Sequence, residues 1–351
     1  MSVVHTAVGC LGIVLGLYGY ESEDQQNHFI NLLELSDTKI PNSYTSFMCE
    51  KNTQYDAQEW LIGITQEKFY ARASGERWEQ KIPEWISKNA PQIIIEGEQL
   101  GIVSKSFPSQ TSFECVAIFG STAPHMRLTI EDLKDRVEAE EISTQKVFLL
   151  TGERYAVAKV DGGEDYIQKI STKYHVVKDK VTEAMLMEDL YKNISSASSK
   201  LKNILFKTVD TPKGNKARPN TIDTIEAFLN GLQMNECKSV LFVSRAPYKI
   251  AQEEDVKKIM YKLSPQREFE VVGGAADIRE VKSKNSAAYH MLMGIAGGLY
   301  GGFERVTMEI NSKNQMCSSI EYLTNYKGNI ISRTYAAGSE KNVELHDTKI
   351  D

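Results

Sequence analysis

The sequence predicts an α/β protein: a doubly wound parallel sheet of about five strands with a mainly helical N-terminal addition. Three observations point there. From Cys115 onward, short and uniformly apolar runs alternate with amphipathic stretches. Those runs lack the in-out alternation of a half-exposed strand, so both of their faces are covered, as in a parallel sheet with helices on each side. Several of them end in Gly, Thr or Ser and pass at once into polar turns and helix starts. The composition agrees. With 351 residues, 41% hydrophobic and 25% charged, the chain is long enough for two units with real cores. Its net charge of -6 excludes a surface built to coat nucleic acid.

The chain opens on an uncharged stretch from Ala7 to Tyr20, with Gly9, Gly12, Gly16 and Gly19 at helical spacing. Two readings of residues 1–20 stand side by side. One is a helix buried in, or lying on, the protein. The other is an export or anchor segment packed through Gly12-xxx-Gly16, which leaves membrane association open. The run has no preceding Lys or Arg and falls short of the roughly 20 apolar residues a bilayer needs. Residues 21–110 carry Trp60, Trp78 and Trp85, and EDQQNHFINLLEL and YDAQEWLIGITQEKFYARASGERWEQKIPEWI have helical apolar spacing. IIIEGEQLGIV reads as a short hairpin about Gly97.

The alternating region spans 111–305. Its strand runs are CVAIFG (115–120), KVFLL (146–150), ILFKTVD (204–210), SVLFVS (239–244) and FEVVGGAAD (269–277). Between them lie the helical stretches IEDLKDRVEAEE, VTEAMLMEDLYKNI, TIDTIEAFLNGL and AQEEDVKKIMYKL. AAYHMLMGIAGGLYGGFERV reads as the last helix of the same Rossmann-like domain. Residues 306–351 form a C-terminal extension that reads equally as a helix-hairpin addition or as irregular chain, ending in a polar tail.

In an open parallel sheet, ligands bind beyond the carboxyl ends of the strands, where loops and helix N-termini present free N–H groups. The five ends deliver Gly120, Ser121 and Arg127; Thr151, Gly152, Glu153 and Arg154; Thr221 and Asp223; Ser244, Tyr248 and Lys249; and Gly273, Gly274 and Asp277. Glycines, hydroxyls and guanidinium groups together suit an anionic or sugar-like ligand. Taken singly, each residue also has a plain structural role: Thr221 suits a helix N-cap, and Glu153 with Arg154 suits a solvated ion pair.

Other chemistry finds less support. His125, His175 and His290 are isolated, with no metal-binding spacing, so no metal site is assigned. No GxGxxG or P-loop follows a strand, and the residues leave any cofactor unspecified. The stretch 169–218 is rich in Lys and reads as a solvated face. The five cysteines (Cys10, Cys49, Cys115, Cys237 and Cys317) are odd in number, scattered and without a CxxC pair. They suggest neither a disulfide framework nor a zinc site, and Cys115 and Cys237 read as buried, inert thiols. A reducing, cytoplasmic setting follows from that, with envelope-anchored or secreted placement as the alternative.

The ordered set VAIFGSTAPHMR (116–127), VFLLTGER (147–154), VTEAM (181–185), RPNTIDT (218–224) and LFVSRAPYK (241–249) resembles the YdcF-like/SanA-like/ElyC-like family of bacterial Rossmann-type domains. The resemblance covers about 115–280. It implies ligand-pocket roles for Gly120, Arg127, Gly152, Glu183, Thr221, Asp223, Ser244 and Tyr248. This chain departs from the family pattern at Glu153, where a second Gly is expected, at Thr224 in place of Asn, and at Lys249 in place of His. The family has no generally established reaction, and several members are linked to the bacterial envelope.

Two functions are expected in consequence. The first is a small-molecule site for a nucleotide-like, phosphorylated or sugar-containing compound, serving a transferase or hydrolase with Glu183 or Asp223 as the base. The alternative is a non-catalytic interaction protein or secreted effector that keeps the fold and offers its Trp-bearing N-terminal part to a partner.

Overall fold

Five apolar runs become strands β1 (Ser112–Phe119), β2 (Ser143–Gly152), β3 (Leu205–Thr211), β4 (Ser239–Arg245) and β5 (Glu268–Gly274). They pair in the order β3-β2-β1-β4-β5, with every neighbour parallel. The computed structural model describes residues 10–44, 51–70, 80–216, 218–232, 236–275, 283–313, 320–324 and 330–334. Two compact units emerge, Ser104–Ala276 and the pair Met1–Val103 with Asp277–Asp351.

The sheet is the centre of Ser104–Ala276. Strand β1 shows why an apolar run without alternation becomes a central strand: all residues from Cys115 to Phe119 are buried. On one face, Val116, Ile118, Val147 and Leu149 pack against helices α5 (Ala123–Glu138), α6 (Glu164–Tyr174) and α7 (Glu183–Ser196) through Met126, Leu133, Ile167 and Leu190. On the other, Ala117, Phe148 and Phe242 meet helices α8 (Thr221–Asn230) and α9 (Lys249–Leu263) through Phe228 and Val256. Phe228 stands edge-on to both Phe148 and Phe242. Helix α6 has no counterpart among the stretches read as helical from the sequence.

The register fixes where a site can lie. Phe119 pairs with Leu150, Gly152 with Thr211, Ile118 with Val243 and Ser244 with Gly273. The carboxyl ends of all five strands therefore line one edge. The connections run outward from β1 on one side and from β4 on the other, so the switch point falls between those two strands.

Cys115 and Cys237 are joined as a disulfide across 122 residues, with Cα atoms 5.3 Å apart. This corrects the expectation of inert thiols. Cys115 sits beside Val240, and Cys237 lies just ahead of the strand that carries it. Cys10 is disulfide-bonded as well.

The second unit is helical, with α1 (Cys10–Leu17), α2 (Glu23–Leu35), α3 (Lys51–Thr65), α4 (Glu84–Gln99) and α10 (Lys284–Lys313). Ser22 and Gln25 close a reciprocal capping box at the start of α2, which satisfies two backbone N–H groups. Helix α1 buries Leu11, Val14 and Leu15. Among the described residues no helix is long and apolar enough to cross a membrane.

Two expectations change here. The segment read as a hairpin about Gly97 belongs to α4, whose buried Ile86, Ala90, Ile93 and Gly97 recur at helical spacing. A Cβ added at Gly97 would fall on the Met291 methyl group of α10, so the two helices approach closely there. Helix α10 groups with these helices rather than with the sheet, which places the boundary near residue 276 instead of 305. After α10 the chain forms an antiparallel ribbon of β6 (Ile320–Thr324) and β7 (Ile330–Thr334). Residues 71–79, with Trp78, and the terminal SEKNVELHDTKID lie outside the described residues.

Candidate functional site

The carboxyl edge is organised around one guanidinium. Arg154, two residues beyond β2, donates from Nε to Glu183 Oε2 at 2.7 Å and from Nη1 to Asp161 Oδ2 at 2.7 Å. Its Nη2 reaches Asp161 Oδ1 at 3.1 Å and the Ser121 carbonyl at 3.0 Å. Arg154 and Glu183 are nearly inaccessible, and Asp161 is wholly so. Buried charge of this kind is tolerable only when paired and hydrogen-bonded, and Asp161 meets that condition fully. It also accepts from the Val157 N–H at 2.8 Å and from the Ala123 N–H at 3.0 Å.

That last bond bears on the site. Ala123 is the first residue of α5, the helix that follows β1, and Thr122 makes no side-chain cap there. The position an external anion would take at this N-terminus is held by the chain's own Asp161 carboxylate. Asp161 reaches it from a turn completed by Gly162 (φ +95°) and Gly163 (φ +89°), a left-handed backbone that suits glycine. Sequence reasoning missed Asp161. The Asp-Gly-Gly turn before an amphipathic helix was the available signal.

Glu183 opens α7, with Thr182 as its N-cap, and its Oε1 accepts from the Gly152 N–H at 3.4 Å. Gly120 lies against the same carboxyl group. A Cβ there would fall on Glu183 Oε1 and stand 2.8 Å from the Leu150 carbonyl oxygen. Burial pushes the Glu183 carboxyl above its ordinary range, against the pull of Arg154, the Gly152 N–H and the nearby Arg218. Burial also acts to lower Arg154, but Asp161 and Glu183 outweigh it and hold the guanidinium above its usual value. Gly120, Ser121, Gly152, Arg154 and Glu183 thus form one connected cluster.

Gly120→Ala is expected to cost about 1–3 kcal/mol as an overpacked substitution, because a backbone carbonyl cannot move aside as a side-chain tip can. Urea denaturation measures it. Stability equal to the parent would mean that both Glu183 and the Leu150 carbonyl give way.

The other candidate residues share the edge without joining the cluster. Thr151 is buried and donates to the Val209 carbonyl at 3.2 Å and to Asp210 Oδ1 at 3.3 Å. Glu153 accepts the Lys213 N–H at 3.1 Å, which orders the loop after β3. It is the Lys213 ammonium that lies 3.9 Å from Glu153, while Arg154 turns to other carboxylates, so the expected Glu153–Arg154 pair is replaced. Asn220, and not Thr221, caps α8, in a reciprocal box with Asp223. Asp223 also receives the Lys216 ammonium at 2.6 Å. Partial burial acts to raise its carboxyl, yet Lys216 and the Asn220 N–H prevail and hold it below the ordinary range.

On the far side of the switch point, Ser244 is buried with its hydroxyl on Gln252 Oε1. Tyr248 stands at the N-cap position of α9, after a cis Ala246–Pro247 bond. Lys249 pairs with Glu253 one turn on, and its stem packs against Gly273. Arg127 is exposed on α5, on the flank facing Tyr166. Gly274 has Asp132 and Arg245 as neighbours, and Asp277 lies outside the described residues. No cluster of metal-binding side chains occurs among the described residues.

No family model, curated protein or solved structure matches this chain. The chemistry of the edge therefore has to be argued from its own geometry. The cluster offers one carboxyl group with an upward-shifted proton affinity, held by one fixed guanidinium, with Gly120 packed against it and the Gly152 N–H donating to it.

Proposed function

We propose that the carboxyl edge of the sheet binds a small anionic ligand, of nucleotide-like, phosphorylated or sugar-containing chemistry, and that Glu183 is the group that moves a proton there. A place beside the YdcF-like domains is part of this proposal. The observation that carries it is the contrast between the two candidate bases. Glu183 is buried at the ends of β1 and β2 with its carboxyl pushed upward, which makes it the readier of the two to hold and pass on a proton. Asp223 is held down by Lys216 and serves α8 as a cap, which suits a structural role. Arg154 then positions Glu183, and the exposed Arg127 is available to neutralise charge on an incoming ligand.

A thermal-shift screen with nucleotides, adenosyl compounds, sugar phosphates and cell-wall precursors tests the proposal. A ligand at a hundred times its Kd stabilises by about 2.7 kcal/mol, an easily read shift. Arg127→Ala should remove that shift without lowering the stability of the free protein. Glu183→Gln should keep binding and lose turnover. A panel with no hit, or a hit indifferent to Arg127→Ala, would count against this site.

One observation favours the second reading, a non-catalytic interaction or effector protein. Arg154 and the first N–H of α5 are both engaged by Asp161, so two donors that an anion would seek already serve the fold. The disulfides weigh toward an oxidising compartment, where exported proteins reside. Under this reading the ligand panel stays silent, and a partner protein binds through the Trp-bearing helical unit.

A further inference from the structure

We propose that the outer edge of β3 is a docking site for an extended, acidic peptide segment of a partner protein, which joins the sheet as a sixth strand. The site lies on the strand's open flank, apart from the carboxyl edge, so its fate does not depend on the ligand proposal.

The argument begins with the direction of backbone groups. The Glu153 N–H donates to the Thr211 carbonyl, and the Thr151 hydroxyl donates to the Val209 carbonyl. Thr211 and Val209 therefore face β2. Because backbone polarity alternates along a strand, Phe206, Thr208 and Asp210 present their N–H and C=O groups outward. Among the described residues nothing pairs with those six groups.

The opposite edge is treated differently. Along β5, Ser106 exchanges bonds with Gly273, its N–H to the carbonyl at 3.0 Å and the Gly273 N–H to its hydroxyl at 2.8 Å. Ser109 binds the Glu270 carboxylate, and Pro108, which has no N–H to donate, lies between the two serines. Open edges invite strand addition, and proteins ordinarily blunt them in this way. One edge of this sheet is closed by its own chain and the other is left open among the described residues, with Leu205 70% exposed at its start. Strand addition draws affinity from main-chain bonds and selectivity from the side chains beside them.

Those side chains set the charge of the occupant. Between residues 169 and 218 there are eleven Lys and Arg against five Asp and Glu, in a chain whose net charge is -6. Lys202 and Lys207 are exposed and have no carboxylate partner among the described residues. Beyond the end of β3, Lys180 and Lys213 lie over the half-exposed Tyr155 ring, at 5.1 and 5.8 Å. The carboxylates on the strand's other face are already engaged, Glu188 by Thr208 and Lys192, and Asp210 by Thr151. In the register centred on Lys207, a second copy of the chain would bring that side chain against its own equivalent, a like-charge contact that antiparallel pairs avoid. An acidic strand meets no such opposition.

The test uses the full chain with a capped eight-residue peptide of alternating Val and Glu, and hydrogen exchange read at single amides. The expected result is protection of the Phe206, Thr208 and Asp210 N–H groups. Protection should vanish when the peptide's edge-facing amides are N-methylated. Lys207→Glu should weaken binding by about tenfold or more, since like charges facing one another across an interface oppose association. A Val-Lys peptide that protects the same amides equally well would overturn the acidic preference. Absence of protection by either peptide at millimolar concentration would overturn the site. Protection arising from self-association, seen by sedimentation without peptide, would replace the partner with a second copy.

Discussion

Arg154→Met is expected to be among the most damaging single substitutions in the sheet domain, at about 3–5 kcal/mol near neutral pH, because it strands two buried carboxylates. Asp161 is wholly buried and Glu183 nearly so, and among the described residues Arg154 is the cation that hydrogen-bonds both. The sign of the pH dependence identifies the cause. In the parent protein burial already raises the folded-state value of Glu183 above its unfolded value. A group shifted that way contributes stability that is complete below the unfolded value and is lost as pH rises through the folded one. Removing Arg154 takes away the charge that opposes this shift, so the folded value of Glu183 climbs further. The deficit of Arg154→Met relative to the parent should therefore be largest near pH 7.5 and shrink as the pH falls below 5. Urea denaturation at both pH values decides it. A deficit of the same size at each would mean that lost packing, and not stranded charge, is responsible. Arg154→Lys should fall between the two proteins, since an ammonium keeps the charge without the fork that binds Glu183 and Asp161 together.

The sheet was legible in the sequence and the network at its edge was legible only in part, for a common reason. CVAIFG and KVFLL are apolar on both faces, and burial is dictated locally by such a run, so β1 and β2 follow directly. The segment about Gly97 misled because three successive isoleucines favour a strand. Tertiary packing decided otherwise: Ile93 and Gly97 complete a helical stripe with Ile86 and Ala90, while Ile95 is left 48% exposed. At the edge, the strand-end rule picked out Arg154, Gly120 and Gly152 because each sits at or just beyond a strand end, while Glu183 came from the family resemblance. The rule could not pair Arg154 with Asp161, which belongs to a loop with no strand end of its own. Nor could it see that Asn220 takes the capping role open to Thr221, since both residues suit that position. For the cysteines, an odd and scattered count hides any pairing set by strand order.

Breaking the Cys115–Cys237 bond should lower stability on a comparable scale. In the chain-entropy account, a link across 122 residues restrains the unfolded chain by roughly 5 kcal/mol, and measured losses for native disulfides run at about 2–5 kcal/mol. For a unit the size of Ser104–Ala276 that corresponds to a fall in Tm of about 5–15 °C. Chemical reduction alone is an imprecise probe. Cys10 also lies in a disulfide, and Cys115 and Cys237 are almost inaccessible, so a reductant acts on the folded protein slowly and on more than one bond. The double variant Cys115→Ala, Cys237→Ala isolates the effect and leaves two small apolar groups where the sulfurs were. Because the link acts mainly through the unfolded state, the variant should also show a larger denaturant m-value, the mark of a more expanded unfolded chain. A variant that melts with the parent and keeps its m-value would mean that the bond adds little to what the β1–β4 pairing already secures. A thiol titration of the unreduced, unfolded parent supplies the remaining check: if Cys115 and Cys237 both react, the two residues are neighbours across the sheet and nothing more.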